Sequence, residues 1–195
     1  MPIKPVKLRG PWDEGYALDV HTTSSEYIGD DVYGHPQYDN EYSDMGQLVN
    51  SYKYKKDYRK LDDIIALAKP FIESWETLNT VDFVLPVPSS KYRDVQPAEE
   101  VAREIASMIG AYYSNEILQK ESPMESKGLS GEAKQRLQGT ITKTKNATKE
   151  HNMLLVDDIF QSGTTLGECI KVLREDPKIV KIFVLTLTKT RKETE

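Results

Sequence analysis

Apolar positions in the second two-thirds of the chain switch between a helical period and short continuous runs. Helical spacing begins near Leu61, Pro97 and Leu166, and each stretch is long enough for an amphipathic helix. The apolar runs have the length of buried strands and cover Val81–Val87, Met153–Asp158 and Ile179–Leu187. Strands that alternate with helices predict an α/β fold, with a mainly parallel sheet covered by helices on both faces.

Glycine and proline set the predicted limits of these elements. Pro97 in the first turn and Gly110 after the last apolar position are typical of the start and end of one helix. Pro70 is expected to end or kink the helix that starts near Leu61, although Phe71 and Ile72 continue the same apolar face.

The N-terminal segment differs in composition from the rest. It has no Lys or Arg between Gly10 and Tyr52, whereas acidic and tyrosine residues accumulate there. Short apolar pieces between turn residues predict strands and loops. We therefore divide the chain into a β-rich N-terminal hood (residues 1–46) and a main domain (residues 47–195), with a weakly ordered acidic arm as the alternative for the hood.

The polar segment 119–150 carries seven lysines and arginines and shows only short periodic patches. It predicts a long basic loop with some helix around 131–137. Loops of that length inside a compact domain are usually functional or disordered.

Composition excludes several classes of protein. The net charge of −5 argues against a protein that binds nucleic acid over its whole surface, although the sequence leaves a local basic patch open. Cys169 is the single cysteine, so the chain forms no internal disulfide and no thiolate zinc site. No apolar run approaches the roughly 18 residues of a membrane span, and the start of the chain lacks the apolar region of a signal peptide. We expect a cytoplasmic protein.

The most informative stretch runs from Leu154 to Leu166. A buried strand ends in Asp157 and Asp158, and a short polar turn leads from them into a helix. Open α/β sheets bind ligands at the carboxyl ends of their strands, and helix N-termini bind anions. One turn is thus able to hold a phosphate while two carboxylates accept hydrogen bonds from sugar hydroxyls or approach a divalent cation.

This stretch resembles the phosphoribosyl-pyrophosphate (PRPP) signature of type I phosphoribosyltransferases, in which two acids precede a Ser/Thr-Gly-x-Thr loop. Other pieces resemble the ComF-like branch of that family, namely Tyr52–Lys55, Leu85–Pro88, Gln96–Ala98 and Leu129–Gly139. The zinc-binding cysteines of that branch are absent. The resemblance covers roughly residues 47–189.

The resemblance implies a role for each matching position. Asp157 and Asp158 would hold the ribose 2′ and 3′ hydroxyls and would contact Mg²⁺ directly or indirectly. The Mg²⁺ would bridge PRPP oxygens at the pyrophosphate site. The predicted 5′-phosphate site comprises Gln161, Ser162, Gly163, Thr164 and Thr165. The predicted pyrophosphate site comprises Ser89, Ser90, Lys91 and Arg93. The predicted mobile loop over the reaction carries Lys120, Lys127, Lys134 and Arg136.

The resemblance implies a Mg²⁺-dependent transferase of the 5-phosphoribosyl group from PRPP to a nitrogen acceptor, usually a nucleobase. Homodimers are common in that family, and no membrane is involved. The alternative is a non-catalytic PRPP- or nucleotide-binding protein, acting in regulation or DNA uptake. A Walker B strand is disfavoured because no phosphate-binding G-x-x-x-x-G-K-[ST] loop accompanies it. A plain turn that caps a helix is the least specific interpretation.

The basic run Lys53–Lys60 is either a solvated helix start or a second phosphate-facing patch, and the sequence leaves both open. The cysteine and the histidines have no predicted chemistry. Cys169 lies on the apolar face of its helix, so we expect a core residue rather than a nucleophile. The three histidines show no metal-ligand spacing, which favours surface or capping positions.

Overall fold

The structure is a computed structural model that describes residues 3–89, 95–120 and 141–191. The helices are α1 (Asp44–Tyr54), α2 (Lys60–Ser74), α3 (Pro97–Ile109) and α4 (Thr164–Arg174), with a 3₁₀ helix at Glu76–Thr80. The strands are β1 (Val6–Lys7), β2 (Glu14–Val20), β3 (Thr22–Asp30), β4 (Pro36–Tyr42), β5 (Phe83–Pro86), β6 (Tyr112–Tyr113), β7 (Leu118–Lys120), β8 (Ile141–Lys143), β9 (His151–Phe160) and β10 (Ile179–Lys189).

The main sheet of the described residues has six strands in the order β1-β2-β10-β9-β5-β6. All neighbouring pairs are parallel except β1 and β2. Helices α1, α2 and α3 pack on one face of the sheet, and α4 packs on the other. The predicted mixed α/β fold, with a mainly parallel sheet flanked by helices, is confirmed.

The packing of strand β9 explains why the strands of this sheet appear in the sequence as continuous apolar runs. Its side chains alternate between two cores: Leu154 and Val156 pack with α1–α3, whereas Met153 and Leu155 pack with α4. All four are buried. A strand that is covered on both faces needs apolar residues at successive positions.

Two predicted helix limits can be compared with the structure. Gly110 follows α3 in the left-handed conformation with φ of 70°, as a glycine at that position predicts. Helix α2, by contrast, continues past Pro70 to Ser74. Ile72 in that last turn is buried in the core, and this packing offsets the backbone hydrogen bond that a proline removes.

The N-terminal segment is divided differently from the prediction. Strand β2 lies inside the main sheet, between β1 and β10, and its residues Ala17 and Leu18 are fully buried in opposite cores. The predicted boundary at residues 46–47 falls inside α1, which begins after its N-cap residue Ser43. The part of the predicted hood that stands outside the main sheet is therefore the β3–β4 hairpin.

The hairpin is exposed along most of its length. Its two strands pair in an antiparallel ladder, and the rings of Tyr27 and Tyr38 meet across it at 5.8 Å. Glu26 lies directly opposite Asp39, a like-charge pairing that weakens a hairpin. Its packing against the remaining chain is limited mainly to the junction with α1.

Most of the predicted basic loop, residues 121–140, lies outside the described residues, as does the helix expected around 131–137. The loop's flanks pair as the two-stranded sheet of β7 and β8. None of the helices in the described ranges has the length and apolar character needed to cross a membrane.

Candidate active site

The acid pair occupies the last third of β9, at the carboxyl edge of the sheet. Strand alternation directs the two side chains to different faces. Asp157 lies on the α4 side, where its charge acts on Cys169. Asp158 lies on the α1 side, where its Oδ2 is 2.6 Å from Nζ of Lys53. Two adjacent aspartates thus meet different surroundings.

The carboxyl group of Asp157 is strongly perturbed by its surroundings. Burial raises the pKa of Asp157 to about 7, and the neighbouring charge of Asp158 acts in the same direction. Lys53 and the backbone N–H of Asp158, which donates to Asp157 Oδ1 at 2.8 Å, oppose the rise. A carboxyl group that titrates near neutral pH is a frequent feature of functional sites.

The turn after β9 creates the second half of the site. Gly163 caps α4 with φ of 76°, a conformation that favours glycine. A Cβ at this position would lie 3.0 Å from the Phe160 ring. The hydroxyls of Ser162 and Thr164 lie 2.9 Å apart. The first backbone amides of α4 are oriented for an anion, because the initial N–H groups of a helix have no partner within the helix.

A cavity of about 350 Å³ joins these parts. Among the sequence-predicted residues, those that line it are Ser89, Asp157, Asp158, Gln161 and Thr165. Lys53 and Tyr54 of α1 and Glu99 of α3 also line it. The acid pair, the start of the predicted pyrophosphate turn and the helix N-terminus therefore share one cavity.

The other predicted residues are distributed as follows. Ser162, Gly163 and Thr164 form the turn beside the cavity. Lys120 ends β7, in the small sheet that packs against α4, and its charge acts on Cys169. The residues that lie outside the described part of the chain are Ser90, Lys91, Arg93, Lys127, Lys134 and Arg136.

Lys53 is a site residue whose role the sequence leaves open, between a solvated helix start and a phosphate-facing patch. Its side chain and that of Asp158 are each only 13% exposed. A signal was present, because Met45 and Val49 form the buried stripe of α1 and Lys53 continues it at the same four-residue spacing. A lysine on an otherwise buried stripe indicates a specific anionic partner.

His21 lies close to the end of β9 that carries Asp158. Its Nδ1 lies 3.1 Å from Oγ1 of Thr188, and that hydroxyl approaches the backbone carbonyl of Asp158 at 3.4 Å. Burial lowers the pKa of His21, and the charge of Lys53 lowers it further. A neutral, half-buried imidazole here fixes the strand end rather than adding charge.

Cys169 lies in the core beneath Asp157, as expected. It is fully buried on α4, and burial together with the charge of Asp157 raises the pKa of its thiol to about 12. A thiol with that pKa remains protonated and unreactive at neutral pH.

The resemblance implies Mg²⁺, so the acid pair was tested as a metal site. No group of three or more acidic, histidine or cysteine residues in the described ranges is arranged to hold a metal ion. Asp158 is already neutralised by Lys53, and Asp157 points to the other side of the strand. These residues do not fit a resident Mg²⁺ site.

No protein-family model and no curated protein matches the chain. Among solved structures, an adenine phosphoribosyltransferase is similar at 11% identity and a TM-score of 0.42, covering 86% of both chains. The same enzyme from Thermoanaerobacter pseudethanolicus gives 14% and 0.45, covering 85% of this chain and 95% of its own. Orotate phosphoribosyltransferase from Aeropyrum pernix gives 14% and 0.40, covering 85% and 73%. Similarity at this level transfers no residue's role to this chain.

Proposed function

We propose that the chain is a phosphoribosyltransferase, which transfers the 5-phosphoribosyl group of PRPP to a nitrogen acceptor such as a nucleobase. The observation that carries this proposal is the single cavity lined by the two carboxylates and by the first turn of α4. A phosphate and a sugar ring are the two groups that such a combination recognises. The PRPP-like signature of residues 154–166 agrees with this ligand.

In the proposed complex, the turn at Gln161–Gly163 and the amides of Thr164 and Thr165 hold the 5′-phosphate. Asp157 and Asp158 accept hydrogen bonds from the ribose 2′ and 3′ hydroxyls. Ser89 begins the pyrophosphate turn, which the resemblance continues through Ser90, Lys91 and Arg93. These contacts fix the sugar at both ends and leave C1′ facing the cavity.

The reaction breaks the bond between C1′ and pyrophosphate and forms a bond from C1′ to the acceptor nitrogen, which releases its proton to solvent. The sugar gains positive charge as pyrophosphate departs, and the carboxylates of the acid pair stabilise that charge. Positioning supplies much of the remaining rate enhancement. We propose that Mg²⁺ would come with PRPP as part of the substrate, where it would offset the charge of the departing pyrophosphate.

The test is calorimetric titration of PRPP, with and without Mg²⁺, into wild type and the Asp157→Asn/Asp158→Asn variant. The matched control is Asp62→Asn/Asp63→Asn, a second consecutive acid pair that is exposed on α2. We expect Mg²⁺-strengthened binding that the first variant loses and the control retains. Failure of wild type to bind PRPP would overturn the proposal.

Turnover separates the enzyme from its non-catalytic alternative. Wild type is incubated with PRPP, Mg²⁺ and each common nucleobase in turn, and pyrophosphate release is recorded. Release that depends on one base identifies the acceptor. Tight PRPP binding without release with any base would instead favour a PRPP- or nucleotide-binding regulatory protein, the alternative that also includes a role in DNA uptake.

A further inference from the structure

The charges around the cavity are poorly matched to a polyanionic ligand. The charged residues that line it in the described part of the chain are Lys53, Glu99, Asp157 and Asp158. Three of these are acidic, so Lys53 is the only cation on that part of the wall. A ligand with several phosphate charges would meet repulsion from this wall unless Lys53 contacts it.

Lys53 is not available in the ligand-free chain. Its ammonium is 2.6 Å from Asp158 Oδ2, and both side chains are 13% exposed, so water screens this pair less than it screens a surface pair. The ammonium also lies 5.7 Å from the centroid of the Tyr54 ring. Buried anchors on α1, among them Val49 and Tyr52, fix the helix that carries it.

Asp158 is occupied by the same contact. It is one of the two carboxylates that the proposed function assigns to the ribose hydroxyls, and its Oδ2 accepts from Lys53 instead. One ion pair therefore sequesters both a phosphate-binding group and a hydroxyl-binding group.

We propose that Lys53 binds a phosphate group of the ligand, and that Asp158 competes with this phosphate for the Lys53 ammonium. This inference rests on the proposed function, because it gives the released Asp158 to the ribose. A phosphate that takes the ammonium of Lys53 leaves Asp158 without its cation and in need of a donor, which a ribose hydroxyl supplies. Recognition of phosphate and recognition of sugar are thereby coupled in one step.

Competition has a distinctive consequence for ligands that carry only one of the two groups. Inorganic pyrophosphate has no sugar hydroxyl to offer Asp158, so we expect it to break the ion pair with little compensation. Ribose 5-phosphate brings hydroxyls to Asp158, while its single phosphate is held by the first turn of α4. Removal of the Asp158 charge should therefore help pyrophosphate and harm ribose 5-phosphate. An ion pair with a structural role alone would not produce opposite changes for the two ligands.

The test measures both ligands by calorimetry in EDTA, which removes divalent cations. In Asp158→Asn, we expect pyrophosphate to bind about tenfold more tightly than in wild type, and ribose 5-phosphate about tenfold more weakly. Lys53→Met should weaken pyrophosphate binding. In the Lys53→Met/Asp158→Asn double variant, the gain seen with Asp158→Asn should disappear, because the competing cation is gone.

Glu99→Gln is the matched control. Glu99 lines the same cavity and contacts Asn115, so its substitution removes one negative charge from the wall without altering the Lys53–Asp158 pair. We expect less than a threefold gain in pyrophosphate affinity, because the charge of Glu99 is partly screened. Lys53→Arg, which keeps the cation, should retain most of the wild-type pyrophosphate affinity. Melting curves report whether each variant is folded.

The inference would be overturned by pyrophosphate binding that is unchanged or weakened in Asp158→Asn, by an equal gain in Glu99→Gln, or by persistence of the gain in the double variant. Absence of pyrophosphate binding in both wild type and Asp158→Asn would overturn it as well. These outcomes are separate from failure of the proposed function, which is judged by PRPP binding to wild type. If the chain binds PRPP but the affinities for pyrophosphate and ribose 5-phosphate do not change in opposite directions in Asp158→Asn, the proposed function stands and the proposed role of Lys53 is wrong.

Discussion

The two faces of the sheet treat two identical, consecutive side chains in different ways. On the α4 face, Asp157 is half-buried near Cys169, and loss of solvation raises its pKa to about 7. On the α1 face, Asp158 is bound by Lys53 at 2.6 Å. Strand alternation alone produces this division, because successive residues of β9 enter different packing layers. The two carboxyl groups of this acid pair therefore have different electrostatic environments.

The largest expected effect is on catalysis. Asp157→Asn and Asp158→Asn should each lower kcat/KM for PRPP by about 100-fold, because each removes a charge that stabilises the developing cation. Pyrophosphate release under steady-state conditions measures this. A variant with near wild-type kcat/KM would show that the reaction uses only one face of the strand.

Substitution of the two aspartates should change the free energy of unfolding in opposite directions. The folded chain keeps a proton on Asp157 that the unfolded chain, with its ordinary pKa of 3.8, has released. The contribution of Asp157 to stability therefore falls as pH rises from about 4 to about 7. At pH 8, Asp157→Asn should raise the free energy of unfolding by more than about 1 kcal/mol. Asp158→Asn should lower it by about 1 kcal/mol, since Lys53 loses its countercharge.

Urea unfolding at pH 5 and pH 8 measures these differences. Asp176 is a useful reference because it has the opposite behaviour: backbone N–H groups of Ala147 and Lys178 and the ammonium of Lys143 lower its pKa to about 2. Its contribution is present above pH 4 and is lost as pH falls toward 2. If Asp157→Asn destabilises the chain at pH 8, the raised pKa of Asp157 is wrong.

Gly163→Ala should have a smaller effect, confined to the α4 side. An alanine there adopts a left-handed conformation and approaches the Phe160 ring, at a cost of about 1 kcal/mol. We expect weaker binding of ribose 5-phosphate and a lower melting temperature. Gly167→Ala is the matched control, because its Cβ would meet nothing within 4 Å. It should leave binding unchanged and stabilise the helix slightly.

Cys169→Ala should have the smallest effect. It removes a buried sulfur beneath Asp157 and creates a small void, at a cost of about 1 kcal/mol or less. PRPP turnover should persist, because the thiol takes no part in the proposed reaction. Loss of turnover in a variant that melts near the wild-type temperature would assign Cys169 a chemical role.

The difference between the two faces also explains which parts of the site could be predicted from the sequence. The α4 side is built from consecutive residues, so one strand, one turn and one helix N-terminus are visible in the stretch 154–166. The α1 side depends on a contact between Lys53 and Asp158, which are 105 positions apart, and no local pattern specifies such a pairing. The available signals were the spacing from Val49 to Lys53, the basic run that begins at Lys53 and the Tyr52–Lys55 piece of the resemblance.

The N-terminal segment illustrates a second limit. Its composition correctly indicated strands, and Tyr16–Val20 lies within β2. The position of β2 inside the main sheet was not predictable from that composition, because its partner β10 lies at the other end of the chain. Sheet membership depends on long-range pairing, whereas strand formation leaves a local pattern.

The most direct measurement of the central claim is a crystal structure of the chain with ribose 5-phosphate. We predict that the phosphate accepts hydrogen bonds from the amides of Thr164 and Thr165, and that the ribose hydroxyls donate to Asp157 and Asp158. Ribose 5-phosphate bound elsewhere, with the cavity at the carboxyl end of β9 left empty, would contradict the proposed site and the function built on it.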